Sequence, residues 1–284
     1  VPHTFITNHR DIVMDSAFLS ISLLDNGFGN TMEIAIGDNL LIRPWIKKLV
    51  RVDKAFIVQR SVSLRQMLAS SARLSRYMHY AIATKHENIW IAQREGRAKD
   101  SNDRTQDSIL KMMAMGGEGS IIDRLKQLNL VPTALSYEYD PCDFLKAQEF
   151  QQKRDIEGFK KSPKDDLVNM QTGIFGYKGR ICFRVAGPLN DWLDTLPADM
   201  PKTELFTAVA SRIDKEIHRN YKLYAGNYVA ADLLRGTQEF AAHYTSEEKT
   251  RFEAYLESRL EKVTLPNPDT AFLRERLLTM YANP

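Results

Sequence analysis

The sequence predicts an α/β fold, a largely parallel sheet flanked by helices and followed by a helical C-terminal extension, and three observations carry that reading. Apolar runs of strand length fall at 54–60, 89–93, 130–137 and 181–185. Between the first two, Leu64, Met67, Leu68, Ser71, Leu74, Met78 and Ile82 recur at helical spacing, so about 63–87 is an amphipathic helix with Arg65, Arg73 and Arg76 off its apolar stripe. A strand–helix–strand order favours parallel strands joined by a crossover helix. Finally, Pro188, Pro197 and Pro201 mark a boundary, after which the chain reads as helices at 205–224, 228–234, 247–262 and 270–281. The expected division is a domain over 1–200 and a helical extension over 201–284.

Taken in order, Phe5-Ile6-Thr7 is an extended segment that turns at Asn8-His9-Arg10-Asp11 and enters a helix near Ala17-Phe18-Leu19. Pro44 interrupts any long amphipathic helix in the next region. The strand at 54–60 delivers Arg60, and the one at 89–93 empties into Arg94-Glu95-Gly96-Arg97-Ala98-Lys99. A polar loop over 99–106 leads to a helix at about 108–115, which Gly116-Gly117-Glu118-Gly119-Ser120 breaks. No Lys-Ser or Lys-Thr follows those glycines, so they read as a loop between helices and not as a phosphate cradle. Pro132 sits early in the strand at 130–137, where a missing donor is tolerated. A charged helical segment at 142–158 and a loop at 160–166 precede the last strand, and Tyr221, Tyr224 and Tyr228 read as packing residues.

A chain of 284 residues with 43% hydrophobic content can bury a sizeable core, which argues against disorder. The two cysteines, Cys142 and Cys182, make neither a disulfide framework nor a metal-ligand cluster, so a reducing compartment is the default. No apolar run approaches the ~20 residues that span a bilayer, and no cleavable leader is visible. The chain lacks an initiator Met and begins almost on His9, which leaves room for upstream residues, a membrane-docking helix among them. The net charge is only +3, but Arg43, Lys47, Lys48, Arg51, Lys54 and Arg60 are interleaved with Leu40, Leu41, Ile42, Trp45, Ile46, Leu49 and Val50. That mixture suits an anionic lipid surface, and equally a solvated basic face over a core contact.

His9 is the candidate for chemistry. Imidazole takes a proton near neutral pH, and a neighbouring carboxylate, Asp11 or Asp15, can hold its tautomer. The His9-Arg10-Asp11 tripeptide also occurs in protein-kinase catalytic loops, but Ser16 stands where a kinase needs Asn, and neither a kinase Gly-rich loop nor Asp-Phe-Gly follows. A nucleic-acid-binding module would use the Arg-rich 94–104 loop, which Glu95, Asp100 and Asp103 dilute and no aromatic platform supports.

Together, Asn8-His9 with Asp15, the strand ending in Arg60, Glu95-Gly96-Arg97, and Leu130-Val131-Pro132 resemble, in order, the four blocks of the glycerolipid acyltransferase family. This family includes the glycerol-3-phosphate and 1-acylglycerol-3-phosphate acyltransferases. The run 178–189 resembles the strand that closes many members' catalytic domain, and the resemblance covers roughly residues 4–190. Two departures stand: five residues separate His9 from Asp15 where the family has four, and Glu95-Gly96-Arg97 is one residue shorter than the usual block.

The resemblance implies a mixed, largely parallel sheet of the glycerol-3-phosphate acyltransferase type. It also implies transfer of a fatty acyl group from acyl-CoA or acyl-carrier protein to a hydroxyl of glycerol-3-phosphate or 1-acylglycerol-3-phosphate, with no further cofactor. His9 is then the base and Asp15 or Asp11 its partner. Arg60 and Arg97 face the acceptor phosphate, with either Arg97 or Lys99 in the family's phosphate-facing position. Glu95 binds acceptor hydroxyls or positions the cations, and Gly96 lets the backbone approach. The expected setting is phospholipid synthesis, peripheral to the cytoplasmic side of the cell membrane, with no nucleic-acid partner. The alternatives are O-acylation of a lyso-aminolipid, or a non-enzymatic protein that binds anionic lipid or nucleic acid.

Overall fold

The computed structural model describes residues 1–41, 44–59 and 64–284, the side chains of Trp45, Leu64 and Arg65 excepted. The elements of the first half are β1 (Thr4–Thr7), α1 (Met14–Asp25), β2 (Met32–Gly37), α2 (Pro44–Val52), β3 (Ala55–Val58), α3 (Leu64–Tyr80), β4 (Asn88–Ala92), α4 (Asp107–Met113), α5 (Ile121–Gln127) and β5 (Leu130–Tyr137). There follow α6 (Asp143–Asp155), α7 (Pro163–Phe175), β6 (Ile181–Val185), α8 (Asn190–Leu193), α9 (Lys202–Asn220), α10 (Ala225–Arg235), α11 (Ser246–Leu260) and α12 (Thr270–Ala282).

The fold is α/β. The strands form one sheet in the order β3-β2-β4-β1-β5-β6. The first five are parallel and β6 runs antiparallel to β5, with Tyr137 opposite Ile181. Alternation along the strands sorts side chains to the two faces. Ile6, Ile89, Ile91 and Leu130 pack with Leu74 and Met78 of α3, Leu110 and Met113 of α4, and Val209 and Ile213 of α9. Their sequence neighbours Phe5, Trp90 and Val131 point the other way, onto Leu19 and Leu23 of α1. Both faces are therefore covered, as parallel sheets require. After α9, helices α10, α11 and α12 gather around Val229, Phe252, Leu256 and Leu277 in a separate apolar cluster that also takes in Ala147 of α6.

Strand β2 and helices α2, α7 and α8 went unread in the sequence. Strand β2 carries the buried Glu33 among its apolar residues, and that charge is held by Lys85 and by the Tyr77 hydroxyl at 2.7 Å. Because β2 lies between β3 and β4, the crossover through α3 joins strands that are not neighbours. Helix α7 begins inside the expected loop at 160–166: Pro163 stands at its first position, and the Ser162 backbone N–H donates to Asp165 Oδ2 at 2.7 Å, so charged residues here are capping residues. Pro44 likewise opens α2 and does not interrupt it. Helix α3 gives way to a π-helical turn, Ala81–Lys85, stopped by His86 in the left-handed region at φ 56°.

Candidate active site

The site is built where the chain leaves the sheet. At the end of β1 the Asn8 side chain replaces strand pairing: its Oδ1 accepts from Leu135 N at 2.8 Å and its Nδ2 donates to Leu135 O at 2.9 Å. The main chain is thereby free to turn away at His9. The imidazole sits edge-on to Trp90, with ring centroids 5.6 Å apart, and its Nδ1 lies 2.7 Å from Asp15 Oδ2.

Asp15 is buried in the first turn of α1 and is held by more than His9. It accepts from the backbone N–H of Arg10 at 2.7 Å and of Asp11 at 3.0 Å, and from the Tyr137 hydroxyl at 2.8 Å. Burial and the Asp15 charge push the Tyr137 phenol well up, so it stays a neutral donor. The five residues between His9 and Asp15 form the tight turn whose two amides converge on this carboxylate.

Asp11 is not on the imidazole. Its Oδ1 accepts from Val13 N at 2.9 Å and Met14 N at 3.0 Å, which fixes the entry into α1. Its Oδ2 is buried without a hydrogen-bond partner, against Gly173 of α7, where a Cβ would collide with it. Burial, then the neighbouring Asp15 charge, raises the Asp11 pKa. An acid with a raised folded pKa holds its proton after the unfolded chain has lost it, so its contribution to stability falls as pH rises through that window. Asp11→Asn removes this titration. The stability of the variant relative to wild type is expected to climb as pH rises from the ordinary 3.8 and then level off. Denaturant titrations across pH check this, and a flat difference would refute it.

The end of β4 supplies the cations. Gly96 turns at φ +68°, a left-handed conformation that costs a side-chain-bearing residue strain, and the neighbouring Glu95 is exposed. Arg97 Nη2 donates to Asn169 Oδ1 of α7 at 3.1 Å, while its Nη1 is buried with no hydrogen-bond partner. Lys99 turns to α6, where it pairs with Glu149 in company with Lys153 and Lys161. Burial, against the pull of Glu149, takes its ammonium down to about 8. Lys99 is thus committed to a protein carboxylate, whereas half of the Arg97 fork is open. Arg60 lies outside the described residues, as does Arg43 of the basic cluster.

Beside His9 opens a cavity of about 440 Å³, within the range of small-molecule sites. His9, Trp90, Arg94 and Met170 wall its polar end, and Arg94 Nε is buried without a partner. The remainder is mostly apolar, running over β2 under Ile46, Leu49 and Val50 of α2, with Thr31 and Asp53 also in its wall. The small residues Ser16, Ala17 and Ser20 on the facing side of α1 leave this space empty. Sequence reading passed over Arg94, Tyr137 and Met170. Only Arg94 had a local signal, its place beside Glu95-Gly96-Arg97.

No protein-family model matches this chain, and no curated protein matches it. Among the described residues no group of three or more His, Cys, Asp or Glu could hold a metal ion, and no helix is long and apolar enough to cross a membrane.

Proposed function

We propose that the protein transfers a fatty acyl group from a thioester, acyl-CoA or acyl-carrier protein, to the hydroxyl of a glycerol-3-phosphate or 1-acylglycerol-3-phosphate acceptor. The observation that carries this reading is the pairing of a carboxylate-held imidazole with an elongated, largely apolar cavity. A chain of methylenes fits such a cavity, and each methylene buried contributes about 0.8 kcal/mol to binding.

With Nδ1 turned to Asp15, Nε2 is the nitrogen left to take a proton. The acceptor hydroxyl oxygen attacks the thioester carbonyl carbon while its proton passes to His9 Nε2. Asp15 stabilises the imidazolium that forms. The tetrahedral intermediate collapses by breaking the carbon–sulfur bond, and the departing thiolate takes the proton back. Ester and thiol leave, and no acyl-enzyme is needed. Two guanidinium groups with unpartnered buried nitrogens, Arg94 and Arg97, suit a phosphorylated acceptor, since a planar fork matches phosphate oxygens.

The experiment offers purified protein acyl-CoA and acyl-carrier-protein thioesters of graded length, each with glycerol-3-phosphate, 1-acylglycerol-3-phosphate or a lyso-aminolipid. In Ser20→Trp an indole occupies the cavity. Turnover of long-chain donors is expected to fall by at least ~10-fold while short-chain donors change little, because discrimination by filled apolar space is of that order. Equal loss at every chain length would remove the acyl-chain role of the cavity. Transfer to the lyso-aminolipid alone would remove the phosphate from the acceptor.

A further inference from the structure

We propose that the face formed by α2, the C-terminal half of α1 and the edge strand β3 docks onto an anionic lipid bilayer, with the mouth of the His9 cavity opening into the hydrocarbon. The sequence left the basic segment at 40–60 between a lipid-binding surface and a solvated face over core. The structure adds what flanks it.

Along α2, Ile46 is buried and Val50 half-buried over the cavity, while Leu49 and Val52 stand exposed on one flank and Lys47, Lys48 and Arg51 on the other. No acid occurs between Pro44 and Val52. Beside it, Ile21, Leu24 and Phe28 form one exposed stripe at helical spacing along α1 and its exit. Ile57 on the edge strand is exposed as well. Val52 at 79% and Phe28 at 54% exposure are large apolar residues left to water, and a contiguous patch of this kind marks an interaction surface.

Charge and the cavity both point to what covers the patch. Cations beside aliphatic residues meet lipid phosphates while the aliphatic groups enter the acyl boundary. Asp25 and Asp53 are the exposed acids at the rim, against the three cations of α2. A two-fold pairing of copies through this face would set like charges near like charges, which is unfavourable. Ile21, Leu24, Leu49 and Val52 both line the cavity and lie exposed, so its mouth is on this face. The cavity follows β2 from Thr31 to Gly37, roughly 20 Å at the rise of a strand, with His9 at the far end. An acyl chain can therefore pass from bilayer to imidazole without crossing water. Only the identity of what enters rests on the acyl-transfer reading.

The test is flotation of the full chain with phosphatidylcholine vesicles, with and without phosphatidylglycerol. Wild type is expected to float with the anionic vesicles, and less so at high salt. A basic side chain near such a surface is worth about fivefold in partitioning. The triple variant Lys47→Gln, Lys48→Gln, Arg51→Gln should therefore lose on the order of 100-fold, and Lys48→Gln alone about fivefold should the triple variant fail to fold. Val52→Ser, at an exposed position, should weaken binding at unchanged charge.

Wild type that ignores anionic vesicles, or a folded triple variant that floats like wild type, would overturn the proposal. So would a dimer in sedimentation that Val52→Ser dissociates while no lipid is bound. Flotation needs no turnover: binding without acyl transfer would sink the catalytic reading alone, and His9-dependent transfer of a water-soluble thioester without binding would sink the docking alone.

Discussion

His9→Ala is expected to lower acyl transfer by ~10²–10⁴-fold while leaving the fold intact. The size of the loss follows from the geometry. The imidazole has its Nδ1 committed to Asp15 at 2.7 Å, and its ring rests against Trp90 beside the cavity. Removing it takes away the proton acceptor but opens no void in the main core, so melting should shift little. Asp15→Asn tests the second link. It keeps the shape but loses the charge that stabilises the imidazolium, and an amide cannot satisfy every donor that converges on it. A further check is Tyr137→Phe, which deletes one donor, the hydroxyl 2.8 Å from Asp15, without touching His9. It should lower turnover by less than either and leave the Michaelis constants alone, since Tyr137 acts through Asp15 and not on substrate. Full turnover in a folded His9→Ala protein would remove the mechanism.

How much of this was legible depends on how far apart in the chain the partners lie. The parallel sheet was readable because β3 and β4 are apolar runs with a helical period between them, and the His9 turn because Asp15 is only six residues on. Strand order was not readable: β1 pairs with β4 and β5, 85 and 126 residues away at Thr4, and nothing local records that choice. Tyr137 reaches Asp15 across 122 residues, and Lys99 finds Glu149 across 50. The second case redirected a candidate, since a lysine that reads as a phosphate contact is spent on a protein carboxylate. Charged residues also misled locally. Ser162, Pro163 and Asp165 looked like loop because their polarity was taken for solvation, when their spacing is that of a helix start. The cavity was invisible for a different reason, being defined by what Ser16, Ala17 and Ser20 do not fill.

Asp103→Ala is expected to destabilise the protein by about 3–5 kcal/mol, the usual cost of stranding one member of a buried ion pair. Arg10 Nη1 and Nη2 meet Asp103 Oδ1 and Oδ2 at 2.9 and 2.5 Å, and each side chain is only 3% exposed. Burial opposes the Arg10 charge, but Asp103 outweighs it and holds the guanidinium protonated. Around this pair, Asn8 donates to Asp103 Oδ2 at 3.3 Å, His218 of α9 lies 2.9 Å from the Asp103 carbonyl, and Arg10 stacks 5.7 Å over the Tyr221 ring. The buried Lys146 adds a hydrogen bond to the Arg10 carbonyl at 3.1 Å. The pair therefore ties the His9 turn to the loop that follows Arg94–Lys99 and to α9. Its removal should lower the melting midpoint on the order of 10 °C, at ~2–4 °C per kcal/mol for a chain of this size. The double variant Arg10→Met, Asp103→Leu separates charge from packing. With no stranded guanidinium it should recover much of the lost stability. Turnover should stay below wild type, because the two loops carrying His9 and Arg97 lose the bidentate contact that registers them. A single Asp103→Ala variant as stable as wild type would show that the guanidinium reaches water, and the pair would then hold neither the fold nor the site.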